Sequence, residues 1–100
     1  MERLRAVLEA YAFLSGQHSG SELAGLLHRG EHISKAQRQL IEFVRDLLLE
    51  AARAGAVRTD VATDELARYC LHALGAAQEL SAPEAVGRLV TVTVAGLRAT

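Results

Sequence analysis

Residues 64–80, DELARYCLHALGAAQEL, limit the fold of this chain more than any other segment. Between Leu66 and Ala77 every position is apolar or small except Arg68 and His72. A surface helix normally shows one apolar stripe and one polar face. A helix apolar around most of its circumference has to be covered on more than one side. With 100 residues, the chain has little of itself to do the covering, since a domain of this size buries roughly 60–65% of the surface its unfolded chain exposes. One side of the helix is therefore expected to face its own domain and another a second copy of the chain. Counted by turns, Arg68, His72, Gly75 and Glu79 fall on one narrow side, the helix's only wet stripe.

The rest of the chain reads as helix around this segment. Residues 2 to about 15 place Leu4, Val7, Leu8, Tyr11 and Leu14 at helical spacing. After a break, Ser19 and Glu22 match a capping box and open a short helix that Gly30 ends. Ser34 and Gln37 give a second such pattern, after a connection at 31–33. The longest helix follows, to about residue 54, with Leu40, Phe43, Val44, Leu47, Leu48 and Ala51 as its buried stripe. Gly55 stands where a closing glycine belongs. The linker AVRTDVA is expected to tuck Val57 and Val61 under the helices, its alternation being that of a strand without a partner. Thr63 is the expected cap of the central helix, with Asp64 and Glu65 in its first turn. Ser81, Pro83 and Glu84 signal the start of the last helix, 81–97. Its VTVTV run, 90–94, alternates like a strand, but Val86, Leu89, Val90, Thr93 and Leu97 fit a helical stripe. The expected fold is one all-α domain over residues 1–100, with about five helices and no sheet.

Charge and composition narrow the function. The net charge is −1 and the basic residues are scattered among acidic ones, so direct nucleic-acid contact by this chain is not expected. One cysteine, Cys70, excludes an intramolecular disulfide. No apolar run reaches the length of a membrane span and no signal-peptide pattern opens the chain, so a cytoplasmic protein is expected. No nucleophile-elbow, phosphate-loop or dinucleotide motif occurs, and no catalytic residue or cofactor is expected. The remote alternative is a small metal-dependent enzyme using His28, Glu31 and His32, because two histidines four apart share a face of a continuous helix. Gly30 sits inside that pair, where it is expected to end the helix, and no third ligand is obvious.

Two features point to binding. Gly87, Thr91 and Ala95 put small residues at four-residue spacing on the last helix, and Ala67, Ala73, Ala76 and Ala77 do the same on the central one. Isologous pairing of these two helices would form a four-helix interface, with Leu71, Leu74, Gln78, Val90, Val94 and Leu97 as expected contacts. The aromatics are Tyr11, Phe13, Phe43 and Tyr69, all on or beside apolar stripes. They are core residues, or they line an apolar cavity in which the tyrosine hydroxyls act as polar handles. The expected pocket residues are Tyr11, Phe43, Leu47 and Tyr69, with His28 as a polar candidate. Few charges interrupt the apolar stretches, which favours a largely uncharged ligand.

The order of parts resembles a known family. A long helix ends in A-x-x-x-G, then comes G-x-V-R-x-D-V as Gly55, Val57, Arg58, Asp60 and Val61, an acidic helix start at Asp64, Glu65 and Leu66, and a closing helix ending in Gly96, Leu97 and Arg98. This pattern is similar to the C-terminal regulatory domain of the TetR/AcrR family of transcriptional repressors. The resemblance implies an all-helical domain that binds a small, often hydrophobic effector among its helices. It also implies that the last two helices pair with those of a second subunit, and that the effector controls DNA binding by an N-terminal helix-turn-helix domain. No helix-turn-helix precedes Glu2 in this sequence, so DNA would be reached only through such a missing domain.

Overall fold

Alanine- and leucine-rich segments with apolar residues three and four apart give four α-helices among the described residues: α1 Glu2–Gln17, α2 Glu31–Arg53, α3 Thr63–Gly75 and α4 Pro83–Leu97, with a 3₁₀ turn, Ala76–Glu79, after α3. The computed structural model describes the backbone of residues 1–17 and 31–99 and the side chains of 1–16 and 35–99. The expected short helix opened by Ser19 and Glu22 lies outside the described residues. Among them there is no strand, and the VTVTV run lies wholly inside α4. Its helical period wins because Val86, Val90, Val94 and Leu97 come onto one buried side.

Helix boundaries differ from the capping patterns at three places. Helix α2 begins at Glu31, so 31–33 is helix rather than connection and Ser34 lies inside the first turn. A Ser followed three residues later by Gln fits a first turn as well as a boundary. The N-cap of α3 is Ala62, in extended conformation and without a side-chain cap bond, and Thr63 is the first helical residue. Helix α4 begins at Pro83 with Ala82 extended before it. The proline ring excludes the residue before it from the helical region, which leaves Ser81 one residue too early to cap.

The end of α2 is as its glycine suggests. Gly55 has φ +82°, a conformation that costs an L side chain roughly 1–2 kcal/mol. The N–H of Gly55 donates to the carbonyl of Ala52 at 3.0 Å and that of Ala56 to Ala51 at 2.9 Å, the paired bonds of a Schellman motif.

The linker after Gly55 does find a partner. The N–H of Arg58 donates to the carbonyl of Leu97 at 2.8 Å and that of Ala99 to Ala56 at 3.0 Å. This single antiparallel bridge, Val57 with Arg98, ties the linker to the end of α4 and buries Val57. Arg58 strengthens the tie. Its Nε and Nη2 each donate to an Asp60 carboxylate oxygen at 2.7 Å, and its Nη1 donates to the carbonyl of Gly96 at 3.2 Å. The guanidinium holds the Asp60 carboxyl below the ordinary carboxylate range. The V-R-x-D spacing is thus a local clamp on the C-terminal end of α4.

Helix α3 packs most extensively on α2, and α1 lies across α3, the 3₁₀ turn and α4. Leu4, Leu8 and Ala12 of α1 meet Val44, Leu48 and Ala51 of α2, Ala67, Cys70 and Leu74 of α3, and Val90, Val94 and Leu97 of α4 in one core. Thr93 is buried there too, its hydroxyl donating to the carbonyl of Leu89 at 2.8 Å. The molecule measures 40 × 32 × 19 Å. Its thickness is about two helix diameters, and each described helix keeps exposed residues on one side.

Candidate functional site

Helix α3 divides its circumference into three sides. Taking about 100° per residue, Ala67, Cys70 and Leu74 point one way, and all three are buried in the core. Roughly 120° round the helix, Arg68, Leu71, His72 and Gly75 line a cleft. On the third side stand Tyr69 and Ala73. The apolar circumference of this helix is therefore shared between three neighbourhoods.

The cleft has a volume of about 320 Å³, at the lower end of the size of small-molecule sites. Opposite α3 it is walled by Gln37, Leu40 and Ile41 of α2 and by Tyr11 of α1. These α2 residues prolong the line of Val44, Leu48 and Ala51 toward the N-terminal end of the helix. Where the helices diverge, the same stripe that builds the core becomes the wall of a cavity. Tyr11, Leu40, Ile41 and Leu71 pack against the core from its edge and are half-buried. Gln37, Arg68 and His72 are exposed on its rim.

The third side is an apolar ridge shared with α4. Tyr69 is 45% exposed and Val92 66% exposed. Ala85, Leu89, Val92 and Gly96 follow one another along α4 at spacings of three and four. Gly96 lies close under the Tyr69 ring: a Cβ at that position would stand 3.2 Å from the Tyr69 hydroxyl oxygen, so the ring would have to shift by a few tenths of an ångström. The Tyr69 ring thus bridges α3 and α4. The small-residue side of α4 lines a shallow groove opposite Arg5, Glu9 and Phe13 of α1. No described side chain lies within 4 Å of a Cβ at Gly87, and Thr91 takes a hydrogen bond from Arg5 at 3.5 Å.

The expected pocket residues are not brought together. Tyr11 lines the cleft. Phe43 is 51% exposed on α2. Leu47 is buried and lines a separate depression with Leu4 and Glu50, between the start of α1 and the end of α2. Tyr69 is on the ridge, away from the cleft. His28 lies outside the described residues. Each residue does sit on or near an apolar stripe, but the stripes open at different places.

The expected subunit contacts are likewise divided. Leu74, Val90, Val94 and Leu97 are 0–1% exposed inside the single chain, where no partner surface reaches them. They were expected at an interface because their helices carry excess apolar surface, and the core takes that share first. Leu71 lines the cleft. Gln78 is exposed in the 3₁₀ turn. Leu89 and Val92 stand on the outer side of α4, at three- and four-residue spacing with Ala85 and Gly96.

Other chemistry is sparse among the described residues. No three of their His, Cys, Asp and Glu side chains are grouped to hold a metal, and the side chains of Glu31 and His32 are outside them. Burial pushes the Cys70 thiol up to about 12, so it stays protonated and unreactive near neutral pH. Arg45 and Asp64 approach to 3.6 Å between α2 and α3, and both are exposed enough that the pair contributes little.

Gly75, on the cleft wall, allows a direct test of the local packing. Its backbone is helical and no described side chain lies within 4 Å of a Cβ added there. Gly75→Ala is expected to raise the unfolding free energy by about 0.5–1 kcal/mol, through lower entropy of the unfolded chain. Urea denaturation of the two proteins checks it, and a loss of stability would mean that the wall has no room for a methyl group.

A family model described as transcriptional regulator SbtR-like, C-terminal domain, matches residues 4–99. Searches of curated proteins and of solved structures found no match.

Proposed function

This chain belongs to the SbtR-like family of TetR-type transcriptional-regulator C-terminal domains, and from that premise we propose that it is the effector-binding and dimerisation domain of a repressor. Domains of this family generally dimerise and bind small ligands. The observation that carries the reading is the division of α3. One side lines a cleft of ligand size, another forms an exposed apolar ridge with α4, and the core joins the two.

The ridge is the proposed subunit face. Two copies related by a two-fold axis would set the α3–α4 pair of one against that of the other in a four-helix bundle. Tyr69, Leu89 and Val92 then replace the buried residues named above as the contacts. The cleft is the proposed effector site, for a small and largely hydrophobic molecule resting on Leu40, Ile41 and Leu71. A ligand wedged between α2 and α3 changes the position of α3, and with it the angle of the ridge. DNA affinity in an attached N-terminal domain then changes only insofar as the ligand prefers one dimer geometry over the other. This is a binding role with no chemical step and no catalytic residue.

The expected solution mass is about 21 kDa, twice the 10.7 kDa of the chain, by light scattering at micromolar concentration. A monomer under those conditions would remove the dimer from the proposal. A panel of small apolar compounds is expected to raise the melting temperature, and the complete absence of binders would leave a dimerisation module without an effector.

A further inference from the structure

Every polar side chain described in the cleft can donate a hydrogen bond, and none is acidic. Arg68 brings five N–H donors and no acceptor. His72 stands one turn further along α3, Gln37 faces them from α2, and the Tyr11 hydroxyl comes from α1. Of the two carboxylates one turn before Arg68 on α3, that of Asp64 is turned toward Arg45 on α2 at 3.6 Å, and that of Glu65 forms no ion pair with Arg68. Among the described residues, no carboxylate lies within 4.0 Å of the Arg68 guanidinium. Behind this rim the wall is apolar and half-covered, from Leu40, Ile41 and Leu71. A cation and neutral donors at the mouth, over an apolar floor, are complementary to a molecule with an anionic head and a hydrocarbon body.

Resting on the proposed effector role, we infer that the ligand class of this cleft is a small monocarboxylate with an apolar tail. The carboxylate accepts from Arg68 at the rim, where a planar guanidinium can donate two parallel N–H···O bonds to it. His72 and Gln37 supply further donors. The tail lies on Leu40, Ile41 and Leu71. A volume of about 320 Å³ suits a chain of about eight carbons or a single aromatic ring better than a long lipid. The charge requirement was not legible in the apolar stretches, because Arg68 and His72 reach the cleft from the wet stripe of α3.

Calorimetric titration of the protein with octanoate and, separately, with octanamide tests this inference. Both compounds carry the same tail, so the difference between them reads the head alone. Octanoate is expected to bind about tenfold or more tightly than octanamide. Arg68→Gln is expected to abolish that preference while leaving octanamide binding and the circular dichroism spectrum unchanged. Arg53→Gln, the same charge change on an exposed residue at the end of α2, is expected to keep it. Amide shifts in NMR should fall on Ile41, Leu71 and His72. Equal binding of the two compounds, equal loss in both variants, or shifts confined to Tyr69 and Val92 would each overturn the inference and leave the effector role standing. If neither compound binds, the inference falls, and the effector role falls with it only when neutral apolar compounds also fail to bind.

Discussion

Leu74→Ala is expected to lower the unfolding free energy by about 3 kcal/mol while leaving the proposed subunit association unchanged. Leu74 has no exposed surface and lies on the side of α3 turned toward the core, with Ala67 and Cys70. Removing its isobutyl group loses the transfer free energy of the buried methyl groups. It also leaves a cavity that rigid helices on several sides cannot close, and such sites cost about 2–5 kcal/mol. That is a large share of the 5–15 kcal/mol typical of a folded domain. Urea unfolding at two protein concentrations, with light scattering of the folded variant, separates a core role from an interface role. A core role predicts a stability loss together with an unchanged dissociation constant of the dimer. Little loss of stability combined with weaker association would return Leu74 to the subunit face.

Val92→Arg is expected to do the reverse. Val92 is 66% exposed in the single chain, so the substitution should change folding stability by no more than about 0.5 kcal/mol. On a two-fold face each change occurs twice, and the residue near the axis meets its own copy or that copy's neighbours. Two guanidiniums, with Arg88 one turn away on each subunit, would then be desolvated against an apolar surface. Juxtaposed like charges at an interface cost several kcal/mol, which corresponds to a weakening of association of at least about a hundredfold. Sedimentation velocity should show a monomer with the helical content of the parent. A variant that remains dimeric at low micromolar concentration would exclude the α3–α4 ridge as the subunit face. The opposite responses of Leu74 and Val92 test the division of these helices more sharply than either alone.

The helical architecture was legible because it depends on local patterns. Apolar residues three and four apart located α1, α2, α3 and α4, and Gly55 marked the end of α2. Capping patterns were less exact. Ala62 and Ala82 hold the cap positions of α3 and α4 although neither has a capping side chain. At α4 the constraint from Pro83 outweighed the hydroxyl of Ser81. On α1, Leu14 fits the stripe by spacing yet is 57% exposed, whereas Ala12 is fully buried.

The cleft was legible only in part. Tyr11 was an expected pocket residue and lines it, and Arg68, His72 and Gly75 had been placed on one side of α3. Phe43, Leu47 and Tyr69 were grouped with Tyr11 because each is large and near an apolar stripe. They face three different surroundings, since Phe43 is outside, Leu47 faces the start of α1, and Tyr69 lies on Gly96.

The sequence by itself therefore determined the helices, the approximate angle of each residue about its own axis, and the excess of apolar surface on residues 64–80. These follow from the 3.6-residue period and from nearest-neighbour chemistry, which need no partner in space. Only the tertiary structure decided which side of α3 meets the core, which meets the cleft and which meets solvent. That choice depends on where α1, α2 and α4 cross it, and on where they diverge enough to leave a cavity. An apolar side chain carries the same hydrophobic driving force toward any apolar neighbour, so Leu74 and Val92 look alike in sequence and occupy opposite environments in the fold.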